Sequence, residues 1–195
     1  HGTIKNYRYV GDVSEVKTLN MVHATHAEFV APQFNPWENC PITFDHRDYP
    51  ANIRHGGLVA LVLDPIIDGY HLTRVLMDGA SSLNLIYQDT IRKMGVDPSR
   101  ISQNNTTFNG VILGVLAHCG GSLVLEVTFG SPDNFRSENL HFNIAPFSSD
   151  YHALLGRMAF ACFKAIPNYA CLKLKMPGPR GVITVSGNTE QYAAV

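Results

Sequence analysis

Two short apolar runs constrain what this chain can become. Residues 58–63 read Leu-Val-Ala-Leu-Val-Leu, residues 70–77 form a second apolar stretch, and the six residues between them include Pro65 and Asp68-Gly69. Runs of this length bounded by turn formers are typical of buried strands, and Asp-Gly between them is a strong hairpin signal. The second run ends in Leu76-Met77 and is followed by Asp78-Gly79-Ala80-Ser81-Ser82. A carboxylate there leaves a dry core and enters a tight turn whose small neighbours would not block a substrate. Asp78 is therefore the candidate catalytic group, and residues 79–82 are its candidate loop. The competing reading of Asp78 is a turn former or helix N-cap.

The rest of the chain reads as mainly β. Residues 83–94 place Leu83, Ile86, Tyr87, Ile91 and Met94 at helical spacings before Gly95, which predicts a short helix with its apolar face in the core. Ser81 or Ser82 is placed to cap it. Further strands are predicted over 111–116, 122–129, 140–145 and 152–155, with one or two helical turns over 156–163. Residues 172–176 and 182–185 alternate across Pro177-Gly178-Pro179-Arg180-Gly181 as a closing hairpin, with Lys173 and Lys175 on the solvent side of an edge strand. Residues 1–36 are weakly periodic, with one helical piece around 14–29, and read as a leader or linker. A domain over 37–188 and a tail over 189–195 follow. No internal duplication is visible, so the chain carries one aspartate loop rather than two. Ile66-Ile67-Asp68-Gly69 repeats the apolar-apolar-Asp-Gly pattern. Pro65 before it and bulky Tyr70 after it mark a hairpin turn instead of a second catalytic loop.

Composition narrows the function classes. The 195 residues are 45% hydrophobic and 16% charged, with a formal charge of -1, which suits one domain with a core. No basic stripe tracks a phosphate backbone, so nucleic acid is not expected as a direct partner. No apolar run approaches about 18 residues, so no membrane span or signal peptide is expected. Cys40, Cys119, Cys162 and Cys171 lie far apart and read as free thiols of an intracellular, cytoplasmic protein. His23 and His26 are three apart, with His46 and His55 further on, yet the helical Glu or paired Cys of a zinc signature is missing, so no metal or cofactor is expected. Gly120-Gly121 reads as an ordinary turn.

Several ordered blocks carry a family resemblance. Residues 37–44 (Trp-Glu-Asn-Cys-Pro-Ile-Thr-Phe), 60–65 (Ala-Leu-Val-Leu-Asp-Pro), 72–84 around Asp78, 127–130 (Val-Thr-Phe-Gly), 151–157 (Tyr-His-Ala-Leu-Leu-Gly-Arg) and 172–179 resemble the protease region of plant gypsy-type LTR retrotransposon polyproteins, over roughly residues 37–188. The resemblance implies a retropepsin-like aspartic peptidase with a small closed β-barrel and one or two short helices. It puts the catalytic aspartate at Asp78 and the active-site loop at Gly79, Ala80, Ser81 and Ser82. It places Leu154, Leu155, Gly156 and Arg157 on the block that braces this loop. Phe108, Asn109 and Gly110, with the strand to about residue 117, fall where the family has its substrate-covering flap. The family commonly has Ser or Thr and then Gly after the aspartate, whereas this chain has Gly79 and Ala80, and Met158 stands where the family tends to have Pro. If position 80 needs a positive φ or a near contact of loop backbone with substrate, alanine there costs on the order of 1 kcal/mol or more and displaces the carboxylate.

The implied chemistry needs two carboxylates sharing one proton, one activating water while the other hydrogen-bonds the scissile carbonyl. Like charges this close cannot both ionise, which favours acid to mildly acid operation. One chain offers one such loop, so the second Asp78 must come from a symmetric mate. The expected function is an endopeptidase domain acting as a homodimer on peptide bonds of its own polyprotein. The alternative is a decayed or domesticated, catalytically inactive domain that serves as a binding module. Arg157 either pairs with an acid in the dimer interface or is solvated, and residues 172–185 are the candidate segment for sealing the dimer.

Overall fold

The computed structural model describes residues 7–10, 13–16, 35–51, 59–103, 107–108 and 117–188. In chain order the strands are β1 Tyr7–Val10, β2 Val13–Val16, β3 Leu61–Leu63, β4 Ile66–Ile67, β5 Tyr70–Leu72, β6 Val75–Met77, β7 Leu85–Tyr87, β8 Thr107–Phe108 and β9 Ala117–His118. They continue with β10 Ser122–Ser131, β11 Asn134–Ala145, β12 Ala153–Leu155, β13 Ile166–Asn168, β14 Lys173–Gly178 and β15 Gly181–Ser186. Two helices, α1 Gln88–Met94 and α2 Arg157–Phe163, and short 3-10 turns at Pro36–Asn39, His46–Asp48 and Pro98–Arg100 complete the described elements.

A ten-stranded sheet runs in the order β1-β2-β5-β4-β10-β11-β7-β12-β6-β3. Only Asp64 and Pro65 separate β3 from β4, and only Thr73 and Arg74 separate β5 from β6, yet these neighbours lie toward opposite ends of that order. So short a chain cannot span a flat sheet, so the sheet curls toward itself as a half-barrel. Its interior holds Leu61, Leu63, Ile67, Leu72, Leu125, Phe142 and Leu155, all fully buried. Phe129 and Phe163 pack edge to face at 5.2 Å beside them. A three-stranded sheet, β13-β14-β15, and the β8–β9 pair lie outside this sheet.

The hairpin over residues 61–77 is nested. β3 pairs with β6, and β4 pairs with β5 around Asp68-Gly69. Asp68 and Gly69 both have positive φ (51° and 81°), as a two-residue turn matching strand twist requires. Arg100 grips the Asp68 carboxylate with two donors at 2.6 and 3.0 Å. The reading of Asp68 as a turn residue agrees with this geometry.

Four expectations change. The helix predicted over 83–94 is half strand: Leu85, Ile86 and Tyr87 run parallel to β11 and antiparallel to β12, and only Gln88–Met94 is helical. A short apolar run buried on both faces is compatible with either periodicity, and the sheet edges of β11 and β12 decide it. Ser81 and Ser82 consequently cap no helix; the residue preceding α1 is Tyr87, without a side-chain cap. The helical piece expected around 14–29 begins instead as a strand, since Val13–Val16 pairs with β5, and residues 17–34 lie outside the described residues. The predicted strand over 111–116 also lies outside them.

Lys173 and Lys175 are the fourth correction. β14 is the central strand of its sheet, not an edge, and Lys175 is only 9% exposed. Both ammonium groups converge on Asp48, Lys175 at 2.8 Å and Lys173 at 3.2 Å, and Lys175 also donates to Thr43 O at 2.8 Å and sits over the Phe44 ring. A carboxylate with this company stays charged: hydrogen bonds from Lys175 and from the Asp45 backbone, with Lys173 behind them, hold the Asp48 carboxyl well below the usual carboxylate range.

Because the folded Asp48 titrates below its unfolded value of about 3.9, its contribution is complete above that pH and is lost as pH falls through the folded value. Asp48→Asn should therefore lower the denaturation midpoint at pH 7, and the gap to the wild-type protein should close as pH falls below about 4. A gap that is constant with pH would remove the charge cluster from this account.

Candidate active site

β6 carries its chain out of the barrel between two neighbours, antiparallel to β3 and parallel to β12. The parallel register sets Leu76 beside Leu154 and Met77 beside Leu155, so both strands end together. Asp78 follows directly and donates its backbone N–H to Leu155 O at 2.9 Å. The turn closes with Ser81 N donating to Asp78 O at 3.2 Å, while Asp78 Oδ1 accepts from Ala80 N at 2.9 Å. The half-exposed carboxylate is thus oriented by its own turn.

The far side of the turn is fastened as tightly. Ser81 O accepts from Arg157 N at 2.9 Å, and Ser81 Oγ donates to Leu83 O at 2.9 Å. Gly156 lies in extended backbone, so no left-handed conformation demands glycine there. The demand is spatial: a Cβ would stand 2.7 Å from Ser81 O and closer still to Leu83 O. Residues 154–157 and 78–82, named separately from the sequence, are therefore brought together, with Arg157 exposed. Met158 beside them is 63% exposed.

Ala80 removes a concern raised by the sequence. Among the described residues, positive φ at non-glycine positions occurs only at Asp68, Lys164 and Leu172. Position 80 needs no left-handed backbone, so alanine carries no left-handed strain there. The same holds for Gly79, where an added Cβ would meet only ordinary contacts, Tyr169 Oη at 3.5 Å and Phe160 Cε2 at 3.6 Å.

Three contributors escaped sequence reading. Asn84 is 4% exposed; its Oδ1 accepts from Gly156 N at 2.9 Å and its Nδ2 donates to His141 O at 3.1 Å, which ties the loop to both α2 and β11. Its signal was a lone amide inside an apolar run, Leu83-Asn84-Leu85. Phe160 and Tyr169 face Gly79 from α2 and from the turn after β13, and nothing local in the sequence indicates that approach. Phe108 lies in β8, paired with β9; Asn109 and Gly110, also named from the sequence, lie outside the described residues. Among the described residues no cluster of His, Cys, Asp or Glu is placed to hold a metal ion, and no helix is long and apolar enough to cross a membrane. The four cysteines are free thiols.

The architecture is retropepsin-like. It is similar to the retroviral protease-like domain of Ddi1 from Leishmania major, with a TM-score of 0.50 and 10% identity over 68% of this chain and 96% of that one. It is also similar to a retropepsin-like aspartic protease from Rickettsia conorii (TM-score 0.42, 14% identity, 63% of this chain and 79% of that one). EIAV protease complexed with the inhibitor HBY-793 is a third (TM-score 0.43, 16% identity, 65% of this chain and 99% of that one). At 10% identity the likeness to the Ddi1 domain shows the fold alone. No protein-family model and no curated protein sequence matches the chain.

Gly156→Ala is expected to destabilise the protein by roughly 1–3 kcal/mol, because two carbonyls must retreat from the new methyl. Asn84→Ala should cost about 1–3 kcal/mol by leaving the buried N–H of Gly156 without its partner. Chemical denaturation checks both, and a wild-type midpoint in either variant would refute the fastening described above.

Proposed function

We propose that this chain is the aspartic endopeptidase domain of a retrotransposon polyprotein of the plant gypsy type, with residues 37–188 as its working domain. The observation that carries the reading is the Asp78 turn itself: a half-exposed carboxylate at a strand end, oriented by Ala80 N in a turn whose backbone is hydrogen-bonded to β12 and α2, in a retropepsin-like sheet. A turn held on three sides positions a reacting group before substrate arrives.

The chemistry needs a mate. With Asp78 of a second copy across a two-fold axis, one carboxylate accepts a proton from water while the other, protonated, hydrogen-bonds the scissile carbonyl oxygen. The hydroxide equivalent adds to the carbonyl carbon as the carbonyl oxygen takes the second proton; the first carboxyl then passes the water's proton to the amine nitrogen, the second carboxylate takes a proton back from the diol, and the C–N bond breaks to release acid and amine. Exposed Ala80 and Met158 beside the turn supply apolar surface that a mate would cover. Both edges of β14 are already paired within the chain, so among β13–β15 only the outer edges of β13 and β15 remain to join a mate. The β8–β9 pair would cover bound peptide, and the natural substrate would be the polyprotein that contains the domain. One observation favours a second reading, a non-catalytic binding module of the same fold: Gly79 brings no hydroxyl to the loop.

A quenched peptide library assayed from about pH 4 to 7 separates the two. Asp78→Asn keeps an oxygen that accepts from Ala80 N, so it should fold and dimerise normally. Its cleavage rate is expected to fall by at least about a hundredfold. A wild-type protein that sediments as a folded dimer and cleaves nothing across that range would leave the binding module.

A further inference from the structure

Glycine at position 79 is required neither by backbone conformation nor by crowding, since its φ is not left-handed and a Cβ would fit. What stands on the side where its side chain would point is a phenol. Tyr169 Oη lies 3.5 Å from the place of that Cβ, with the Phe160 ring edge beside it at 3.6 Å. A hydroxyl on a side chain at 79 would be one bond further out and would reach the same space. The hydroxyl that the loop lacks at residue 79 is thus present there from residue 169.

Tyr169 is well held for such a task. Its ring packs against the main core, and the turn that presents it follows β13, which is paired to β14. Asn168 Oδ1 accepts from Cys171 N at 3.0 Å and sets that turn. Among the described residues the Tyr169 hydroxyl makes no hydrogen bond within the chain, while the loop hydroxyl of Ser81 is committed to Leu83. Leu155 O accepts from Asp78 N and Arg157 N donates to Ser81 O, which holds the loop on either side of Gly79, and Ala80 N donates to Asp78 Oδ1 within it.

We propose that Tyr169 is a positioning residue of the Asp78 loop: its hydroxyl, standing against Gly79, limits the sideways movement of the turn in the assembled site and takes the place of a hydroxyl on residue 79. This inference rests on the peptidase reading above. It makes positions 79 and 169 a complementary pair, in which either one can supply the hydroxyl.

The test is a cycle of Tyr169→Phe, Gly79→Ser and the double variant in the full chain. Tyr169→Phe keeps the ring and its packing, so the denaturation midpoint should stay near wild type. Its kcat is expected to fall roughly tenfold to a hundredfold, with KM changed by less than about twofold. Amide exchange at residues 79–81 followed by NMR should quicken, and the double variant should regain most of the lost kcat. A purely structural tyrosine would not be rescued by serine at 79. The proposal is overturned if Tyr169→Phe leaves kcat and the loop amide exchange unchanged, or if the loss of kcat follows a loss of stability and serine restores nothing. If the wild-type protein cleaves no peptide, the peptidase reading fails separately. The NMR measurement then decides the positioning role, with unchanged exchange rejecting it and quickened exchange upholding it.

Discussion

The parallel pairing of β6 with β12 is the constraint on which the candidate site depends. Because Met77 lies beside Leu155, the next backbone N–H, that of Asp78, meets Leu155 O, and Gly156 arrives where the loop carbonyls of Ser81 and Leu83 must pass. A slip of one residue would exchange the faces of every side chain in β6 and turn Asp78 away from its present position. Pairing on both sides by β3 and β12 makes such a slip costly, since all three strands contribute fully buried side chains to one core. Asn84 completes the arrangement by satisfying Gly156 N with its side-chain oxygen.

The helix beneath the loop is secured by buried charge. Arg136 on β11 is 7% exposed and donates to Phe163 O at 2.6 Å and Pro177 O at 3.2 Å, joining the end of α2 to β14. Its guanidinium lies between the rings of Trp37 and Phe163, at 5.1 and 5.5 Å, and Glu138 supplies the counter-charge. A planar cation with several fixed donors can serve those carbonyls and a carboxylate at once, which a lysine could not. Together with Asp48 and its two lysines, it draws residues 35–51 into the body that supports the loop. These groups tolerate burial because each has partners; removing one member leaves the others charged and uncompensated.

Much of this was legible residue by residue. Asp68-Gly69 declared its turn because only a few residue pairs accept positive φ in succession, and of the apolar stripe Leu83, Ile86, Tyr87, Ile91 and Met94 only Ile91 and Met94 reach the core from a helix as its spacing implied. Leu85–Tyr87 was misread because three consecutive apolar residues fit a helix face or a strand buried on both sides, and the choice lay with sheet edges more than fifty residues away in the chain. The alternation in residues 172–176 showed a strand correctly and its exposure incorrectly. Periodicity distinguishes two faces without saying which of them a distant segment will cover, and Asp48 covers the lysine face from 127 positions away.

The sequence alone determined the local chemistry: short strands, the hairpin turns, and one carboxylate at a strand end followed by small residues. These follow from steric preferences and hydrophobic spacing, which act over a few residues. Tertiary structure decided what that carboxylate rests on. Leu155, Arg157, Asn84, Phe160 and Tyr169 reach the turn through strand pairing and packing, and Ala80 proves harmless because the folded turn asks nothing left-handed of it. Hydrogen-bond partners and counter-charges are fixed by distance in space, and short-range sequence preferences do not encode that distance.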